Sequence, residues 1–343
     1  MRIVLFAGRG GVGTTTAAAA TAALASRSAK VLLVSAGAFG VPPGPRPVAV
    51  GDLQVLHPDL RAGFEARWPL GLVAAGELAL PPGAAELLTL LDVRDAAGNW
   101  DAVLVDGLSV DSLLSLRALA GTVERLWPEH QRIVHRSELT DTVSALQSAL
   151  SSVEELLAGA SVRLVITPSA STAVRETLTA LALHGYAVDS VIANRMLPTA
   201  GPWATQVRAA QEEALAGLEP DVPVRRAPYL AAEPVSPDAL LALGESVYGT
   251  ADPLAPCVAP APSVTRAGDE FELRLALPYV RRGSVTLARS GDDLLVTVGD
   301  QLRRLPLPSV LRRCVAVGAS AGDGAVRIRF RPDPALWPRE VPR

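Results

Sequence analysis

The stretch FAGRGGVGTTTAAAA, at residues 6–20, decides the fold of the first part of the chain. Gly8 to Thr15 read G-R-G-G-V-G-T-T, which has the glycine spacing of the phosphate-binding pattern G-x-x-x-x-G-K-[ST]. The apolar run RIVLFAG (2–8) precedes the glycines, and threonines and alanines follow them. Glycines in this arrangement let backbone N–H groups converge on an anion, and the start of a helix adds its positive end. The stretch therefore predicts a strand, a phosphate-binding loop and a helix.

One position in this loop departs from the pattern, because Thr14 stands where a lysine is expected. Lys30 is the only lysine in the sequence, and the remaining Lys/Arg positions are all arginine. In such a chain an arginine in place of a lysine carries little information, whereas a threonine removes the charge altogether. The loop thus predicts the shape of a phosphate site without the cation that binds the terminal phosphates.

Length and composition describe a globular chain. The 343 residues favour two domains, and a content of 49% hydrophobic and 20% charged residues excludes a disordered chain. The net charge of -3 predicts no attraction to nucleic acid or to an anionic membrane surface. No apolar run approaches the roughly 20 residues of a membrane span, so no integral membrane segment is expected. The first residues are interpreted as a buried strand instead of a secretion signal.

Cysteine and histidine usage argues against bound zinc. Cys257 and Cys314 are far apart and belong to no CxxC or Cys/His cluster, which predicts neither a disulfide framework nor a zinc site. This usage fits a reducing compartment, and we expect the protein in the cytoplasm. The histidines are scattered and are interpreted as surface or capping residues: His57, His130, His135 and His184.

Alternating apolar runs and helix-length segments predict an α/β domain. The continuous apolar runs, typical of buried parallel strands, are residues 2–8, 30–36, 101–107, 162–168 and 187–195. The helix-length segments between them are residues 14–27, 83–96, 142–159 and 172–186. This order predicts a P-loop NTPase-type, mostly parallel sheet with helices on both faces. Ligands of such sheets lie at the carboxyl ends of the strands.

The hydrophobic period changes near residue 250. Residues 1–249 form the predicted α/β domain, and residues 250–268 are rich in Pro and Ala, which predicts an extended linker. Residues 269–331 contain period-two runs with tight turns, which predict a small antiparallel β-sandwich. Residues 332–343 are interpreted as an irregular tail.

Taken in order, several segments resemble the deviant-loop ATPases of the ArsA family, which comprises the arsenite-pump ATPase and the ATPase that targets tail-anchored membrane proteins. The family's loop reads K-G-G-V-G-K-T-T. Four segments of this chain resemble the family's PG-x-x-E segment, its second-switch strand, its adenine loop and its closing segment: PPGAAELLTLLDV (81–93), WDAVLVDG (100–107), VIANRMLP (191–198) and residues 222–249. Residues 269–331 resemble the α-crystallin-like (small heat-shock-type) module that some members carry.

The resemblance implies a site for ATP or ADP with magnesium. It assigns nucleotide contacts to Gly8, Gly10, Gly11, Val12, Gly13, Thr14, Thr15, Thr16, Asn194 and Pro228. Among these, Asn194 would contact adenine. Thr15 and Asp106 would hold magnesium, and Asp106 is also the second-switch carboxylate. Arg9 would reach across a dimer interface to the partner's phosphates.

The residues that differ from the family pattern lie at positions with roles in catalysis. Besides Thr14, Gly37 stands where the first switch has the aspartate that positions the attacking water, and GLSVD (107–111) replaces T-A-P-T-G. Losing a group that stabilises transition-state charge costs about 10²–10³ in rate. The sequence therefore predicts a nucleotide-binding or pseudo-ATPase chain with little or no hydrolysis. The alternative is a slow self-contained ATPase that uses an arginine in place of the loop lysine.

The resemblance also implies a partner. We expect a homodimer, or a heterodimer with an intact-loop paralogue, in which this chain is the regulatory or scaffold half with a client- or chaperone-type role. The resemblance allows a protein client. Binding of membrane anchors is not favoured, because residues 112–160 are short and rich in Ser, Glu and small apolar residues, unlike the groove that holds such anchors. Arsenite transport is not expected, since the cysteine ligands of this soft ion are absent.

Overall fold

The computed structural model describes residues 1–37, 39–68, 83–119, 137–168, 171–218 and 222–335. The chain divides into two compact units. Unit 1 comprises Met1–Ser171 and Tyr186–Val258, and unit 2 comprises Thr172–Gly185 and the chain from Ala259 onward. The sequence segment RLWPEHQRIVHR (125–136) and residues 336–343 of the predicted tail lie outside the described residues.

Unit 1 contains an eight-stranded sheet in the order β3-β4-β2-β5-β1-β6-β7-β8. Its strands are β1 Arg2–Gly8, β2 Val31–Val34, β3 Val48–Val50, β4 Leu53–Leu56, β5 Ala102–Leu108, β6 Ser161–Ile166, β7 Ala187–Met196 and β8 Val224–Pro228. All neighbours are parallel except β3 and β4, which pair antiparallel. The mostly parallel sheet predicted from the sequence is confirmed.

Nine α-helices lie in the described residues of the two units. They are α1 Thr14–Ala25, α2 Leu60–Arg67, α3 Ala84–Ala96, α4 110–119, α5 Ser137–Gly159, α6 Ser171–Leu183, α7 Gly201–Ala216, α8 Pro237–Tyr248 and α9 Ser309–Arg312. Strand β1 shows why the sheet needs helices on both faces, because Val4 and Phe6 pack in one cluster with α1 while Leu5 between them is also fully buried. The sequence did not predict β3, β4, β8, α2, α4, α7 or α8. Several of these elements carry polar or charged residues that weaken the apolar pattern.

Helices α1 and α8 pack closely through Gly244. We expect Gly244→Ala to destabilise unit 1 by roughly 1–3 kcal/mol, since overpacking forces backbone to move. An added Cβ would lie 2.5 Å from the Ala20 carbonyl oxygen and 3.0 Å from Leu24 Cβ. Urea denaturation measures the change. The control is Gly159→Ala at the end of α5, where a Cβ meets nothing within 4 Å. Equal losses in the two variants would contradict the close contact.

Unit 2 is an antiparallel sandwich. Its elements besides α6 and α9 are β9 Ser263–Ala267, β10 Glu270–Ala276, β11 Val285–Ser290, β12 Asp293–Val298, β13 Gln301–Pro306, β14 Cys314–Gly322 and β15 Ala325–Pro332. They form a four-stranded sheet, β14-β15-β10-β9, and a three-stranded sheet, β11-β12-β13. The predicted alternation in β10 is confirmed, because Leu273, Leu275 and Leu277 are buried in the core of this unit.

The segment 250–268, for which the sequence predicts an extended linker, contains one β-strand. Its last residues form β9, which pairs with β10 across a turn at Gly268, a residue with φ of 63°. The missed signal is the Gly-Asp turn between two short period-two runs. Its first residues are fastened to unit 1, because the Arg163 guanidinium donates to the Pro253 carbonyl oxygen (3.1 Å) and Arg2 donates to that of Cys257 (3.3 Å).

Helix α6 groups with the sandwich, although the chain places it between β6 and β7. Leu183 is part of the buried core of unit 2. The Thr179 hydroxyl donates to the Pro278 carbonyl oxygen at 2.6 Å, and the Arg303 guanidinium donates to the carbonyl of Leu183. Next to Leu183, His184 is buried, so the surface interpretation is wrong for this residue, whereas its place directly after the end of α6 agrees with the capping interpretation. Periodicity identified this helix, but it could not assign the apolar face to the sandwich.

Candidate functional site

The glycine loop joins β1 to α1 at the carboxyl edge of the sheet. Gly11 and Gly13 have φ of 79° and 92°, in the left-handed region that favours glycine. Gly13 immediately precedes α1 and supplies no side-chain cap, so it leaves the first N–H groups of the helix to other acceptors. A Cβ on Gly8 would lie 2.7 Å from the Val165 carbonyl oxygen of β6. The loop therefore has the backbone that an anion-binding helix start requires.

Asn194, near the end of β7, reaches this loop. Its side-chain Nδ2 donates to the Val12 carbonyl oxygen at 2.8 Å, and its Oδ1 accepts from the Arg195 backbone N–H at 2.8 Å. A Cβ on Gly13 would lie 2.3 Å from Nδ2, a distance that only glycine permits. The resemblance to the family implies that this asparagine contacts adenine, and the structure places its amide beside the loop.

The threonines of the loop differ in their surroundings. A Cβ on Gly8 would lie 3.0 Å from the Thr14 methyl group, so the methyl group is directed back along the loop. Thr15 and Thr16 line an open cleft of about 480 Å³. Arg9 is exposed at the loop surface, and Gly10 is exposed beside it.

Lys30, the only lysine of the chain, cannot replace the missing loop lysine. It precedes β2, and Val31 lies in register with Ala102 of β5, which pairs with Arg2 at the start of β1. The loop follows the other end of β1, which at about 3.3 Å per residue is roughly 20 Å away. The Lys30 ammonium lies 5.0 Å from the centroid of the Trp100 ring.

Asp106 is buried near the carboxyl end of β5, next to the loop strand β1. Its Oδ2 accepts from the Ser35 hydroxyl at 2.8 Å. Its Oδ1 is buried and has no partner among the described residues. Magnesium is held by one or two carboxylates together with water and phosphate oxygens, so an unpaired carboxylate oxygen suits this ion. Ser35 was missed by sequence reasoning, although it directly follows β2 and thus lies at the same edge.

The cleft beside Thr15 and Thr16 contains the first-switch position. Gly37 lines it and brings no carboxylate, whereas Glu233 and Pro234 of the closing segment line it as well. Phe39, another lining residue, has a left-handed φ of 63°, which is rare for a bulky side chain. Glu233 is therefore the acidic residue that shares this cleft with the loop.

Two further contacts involve residues of the closing segment and of the PG-x-x-E segment. Pro228 at the end of β8 pairs with Met196 of β7, two positions after Asn194. The Ser112 hydroxyl donates to Glu86 Oε1 at 2.7 Å, and thereby joins the segment after Asp106 to the start of α3. The carboxyl ends of parallel strands thus bring the glycine loop, Asp106, Asn194 and Pro228 to one edge of the sheet. No group of three His, Cys, Asp or Glu side chains that could enclose a metal occurs in the described ranges.

Comparisons with known proteins agree with these features. A family model described as anion-transporting ATPase matches residues 1–37, and one described as an HSP20-like domain found in ArsA matches residues 268–330. Protein Rv2184c of Mycobacterium tuberculosis is 34% identical, over 98% of this chain and 97% of that protein. Protein SCO2128 of Streptomyces coelicolor is 33% identical, over 99% and 100%. A putative arsenical pump-driving ATPase of Chlorobaculum tepidum is 24% identical, over 96% and 95%.

Proposed function

Because this chain belongs to the ArsA family of ATPase-like proteins, we propose that it binds ATP or ADP at the loop between β1 and α1 and hydrolyses it slowly or not at all. In this proposal the chain is the regulatory or scaffold half of a dimer. The observation that carries it is the position of Lys30. The only lysine of the sequence lies at the opposite edge of the sheet, so no lysine of this chain can neutralise the terminal phosphate at its own loop.

Binding is supported by the groups that remain. The left-handed Gly11 and Gly13 and the uncapped start of α1 offer backbone N–H groups to a phosphate. The Thr15 hydroxyl and the unpaired Oδ1 of Asp106 are the groups that would hold magnesium. When bound, magnesium neutralises charge on the phosphate oxygens. Loss of one charge-assisted hydrogen bond weakens binding by only about 1.5–3 kcal/mol, which the other contacts tolerate.

Hydrolysis is affected more strongly than binding. Phosphoryl transfer depends on positioning and on stabilisation of charge that develops in the transition state. Thr14 brings no cation to this charge, and Gly37 brings no carboxylate to the attacking water. Each loss lowers the rate of hydrolysis. Removing such groups from other enzymes lowers the rate by a factor of about 10²–10³.

Exposed Arg9 supports the dimer in this proposal. A cation on the loop surface is free to act on the phosphates of a second subunit, either another copy or an intact-loop paralogue. Turnover of such a paralogue, measured with and without this chain and with its Arg9→Ala variant, tests the contribution in trans.

The sandwich would serve a protein client. Both cysteines are free, as in a cytoplasmic protein, and no described helix is both long enough and apolar enough to cross a bilayer.

Asp106→Asn is expected to weaken binding of ATP with magnesium by about 10- to 100-fold and to leave binding without magnesium unchanged, since the variant loses a charge that the ion requires. The amide oxygen can still accept from Ser35. Titration of a fluorescent ATP analogue, with and without magnesium, measures both constants. The control is Asp111→Asn, five residues further on and exposed, for which no change is expected. An unchanged magnesium effect in Asp106→Asn would contradict the assignment.

A phosphate-release assay on the same samples decides between this proposal and the slow ATPase. Tight binding without release supports the proposal. Glu233 is the observation that favours the alternative, because its carboxylate lines the cleft that Gly37 leaves without one. Steady release that is lost in Glu233→Gln would therefore overturn the proposal and establish a slow ATPase.

A further inference from the structure

We propose that the outer face of the four-stranded sheet of unit 2 binds a phosphorylated serine or threonine of a protein partner through Arg274 and Arg327. The inference rests on the proposed function only in assigning a protein partner to the sandwich, and it is independent of the nucleotide loop. The chain from Ala259 onward contains 14 arginines and 9 acidic residues, a net charge of +5 at pH 7, whereas residues 1–258 have a net charge of -8. Such an asymmetry indicates an anionic partner for the basic part of the chain.

Arg274 of β10 and Arg327 of β15 lie directly opposite each other on this face, because they are partners in the antiparallel register. The neighbours of each arginine along its strand are buried: Leu273, Leu275, Val326 and Ile328. The alternation of a strand therefore directs both arginines outward. Opposite residues of an antiparallel pair have Cβ atoms about 4.5–5.5 Å apart, and like charges at this spacing are destabilising. An anion between the two guanidinium groups would remove this repulsion.

The charges of these two arginines are poorly compensated within the chain. Arg274 is exposed and forms no ion pair with any residue of the described ranges. Arg327 Nη1 lies 3.9 Å from Asp323 Oδ2, but the side chain of Asp323 is 92% exposed. Exposed ion pairs of this kind contribute little, since water and salt screen them. Almost two positive charges are therefore available to a ligand.

The next outward positions of β15 carry arginines that do have acidic partners. Arg329 lies directly opposite Glu272, and Arg331 Nη2 lies 2.8 Å from Glu270 Oε1. The two carboxylates neutralise these arginines and would repel a continuous chain of phosphates, as in a nucleic acid. The uncompensated charge is thus confined to one row across the sheet, which suits a single compact anion.

Two serines extend this row on both sides. Ser320 of β14 is the register partner of Arg327, and Ser263 of β9 is that of Arg274. Both serines are exposed. Adjacent strands lie about 4.8 Å apart, so the four side chains span roughly 14 Å. Because hydroxyl groups both donate and accept, the serines can bind the backbone of a peptide whose phosphate lies on the central arginines.

The charge of the row indicates the kind of anion. A phosphorylated serine or threonine carries about -1.5 to -2 charges at pH 7 and three acceptor oxygens, whereas a carboxylate carries one charge. Guanidinium groups bind phosphate oxygens through pairs of parallel hydrogen bonds, and arginine clusters recur in proteins that recognise phosphorylated motifs. Two guanidinium groups therefore match one phosphoryl group in charge and in hydrogen bonding.

The experiment titrates the full chain into a fluorescently labelled Gly/Ser-rich peptide that carries one phosphoserine, and follows the anisotropy. The phosphorylated peptide should bind at least about tenfold more tightly than the same peptide with unmodified serine. Arg274→Gln and Arg327→Gln should each weaken its binding by about tenfold or more, the value of a charge-assisted hydrogen bond. The control is Arg266→Gln, which removes the same charge from β9 but lies opposite Phe271, on the other face of the sheet. It should leave binding unchanged.

Arg274→Glu gives a second result that a loss of folding could not imitate. The new carboxylate would lie opposite Arg327, and opposite charges in this position stabilise a pair of strands. The ligand-free variant should therefore resist urea at least as well as the unmodified chain, while its binding of the phosphorylated peptide is lost. A variant that binds the peptide as tightly as the unmodified chain would overturn the inference.

The remaining outcomes are equally decisive. The inference is overturned if neither peptide binds, if both bind equally, or if Arg266→Gln weakens binding as much as Arg274→Gln does, since overall charge would then explain the result. Inorganic phosphate that binds as tightly as the peptide, or a single-stranded oligonucleotide that displaces it more readily than unlabelled peptide does, would also overturn the assignment to a protein partner. Titration of the same samples with the fluorescent ATP analogue separates the two proposals, because a chain that binds no nucleotide overturns the proposed function of the loop and leaves this inference standing.

Discussion

Thr14→Lys combined with Gly37→Asp is expected to raise phosphate release by about 10²–10³ or more over the unmodified chain, because the two changes restore the transition-state cation and the carboxylate that positions water. Thr14→Lys alone should tighten binding of ATP with magnesium by about 10- to 100-fold, the value of a charge-assisted hydrogen bond, with a smaller gain in turnover. Single-turnover phosphate release and titration with a fluorescent ATP analogue measure the two effects.

Neutral variants of matched size serve as controls for this experiment. Thr14→Met has the length of the lysine without its charge, and Gly37→Asn has the shape of the aspartate without its charge. Neither should tighten binding or raise release. If the double variant binds ATP tightly and still releases no phosphate, the deficit lies elsewhere at the site, and the account based on Thr14 and Gly37 is wrong.

Asp189→Asn is expected to destabilise unit 1 by about 3–5 kcal/mol, because it leaves a buried arginine without its counter-charge. The Asp189 carboxylate accepts from Arg163 at 2.9 and 2.8 Å and from Arg2 at 3.3 Å. The side chains of Arg163 and Asp189 are only 3% and 6% exposed. Arg163 also donates to the Tyr248 hydroxyl at 2.6 Å, and burial raises the pKa of this hydroxyl, so it remains neutral and carries no compensating charge.

The control for this prediction is Glu245→Gln, which removes one charge from a surface ion pair. Arg27 and Glu245 are 2.7 Å apart, but both side chains are more than half exposed, and such pairs contribute at most about 1 kcal/mol. Urea denaturation followed by tryptophan fluorescence compares the two variants. Similar losses for Asp189→Asn and Glu245→Gln would show that the buried network adds nothing beyond an ordinary ion pair.

The buried network illustrates what sequence reasoning could not reach. Arg163 interrupts the apolar strand β6, and in the sequence it is one arginine among many. Its partners Asp189 and Tyr248 are separated from it by 26 and 85 residues. Periodicity reports which face of an element is apolar, but it does not report which distant polar side chains meet. The same limit explains why the anchoring of the segment after residue 249 was missed.

The candidate site was predictable to the extent that local sequence specifies it. The glycine spacing identified the loop, and the apolar strand before Asp106 placed this carboxylate at the same edge. Ser35 and Glu233 were not predicted as site residues, because each reaches the site from a separate segment. Asn194 was identified by resemblance, and only the structure brought its amide to the Val12 carbonyl.

By itself, the sequence determined that the chain begins with a parallel α/β sheet, ends with an antiparallel sandwich, and has a phosphate loop with its lysine replaced. These features follow from residue type and short-range spacing, which act within one strand, turn or helix. The tertiary structure alone decided that α6 packs with the sandwich, that Lys30 lies far from the loop, and that Asn194 holds Val12. Each of these depends on the order and direction of whole elements, which bring together residues that are remote in the sequence.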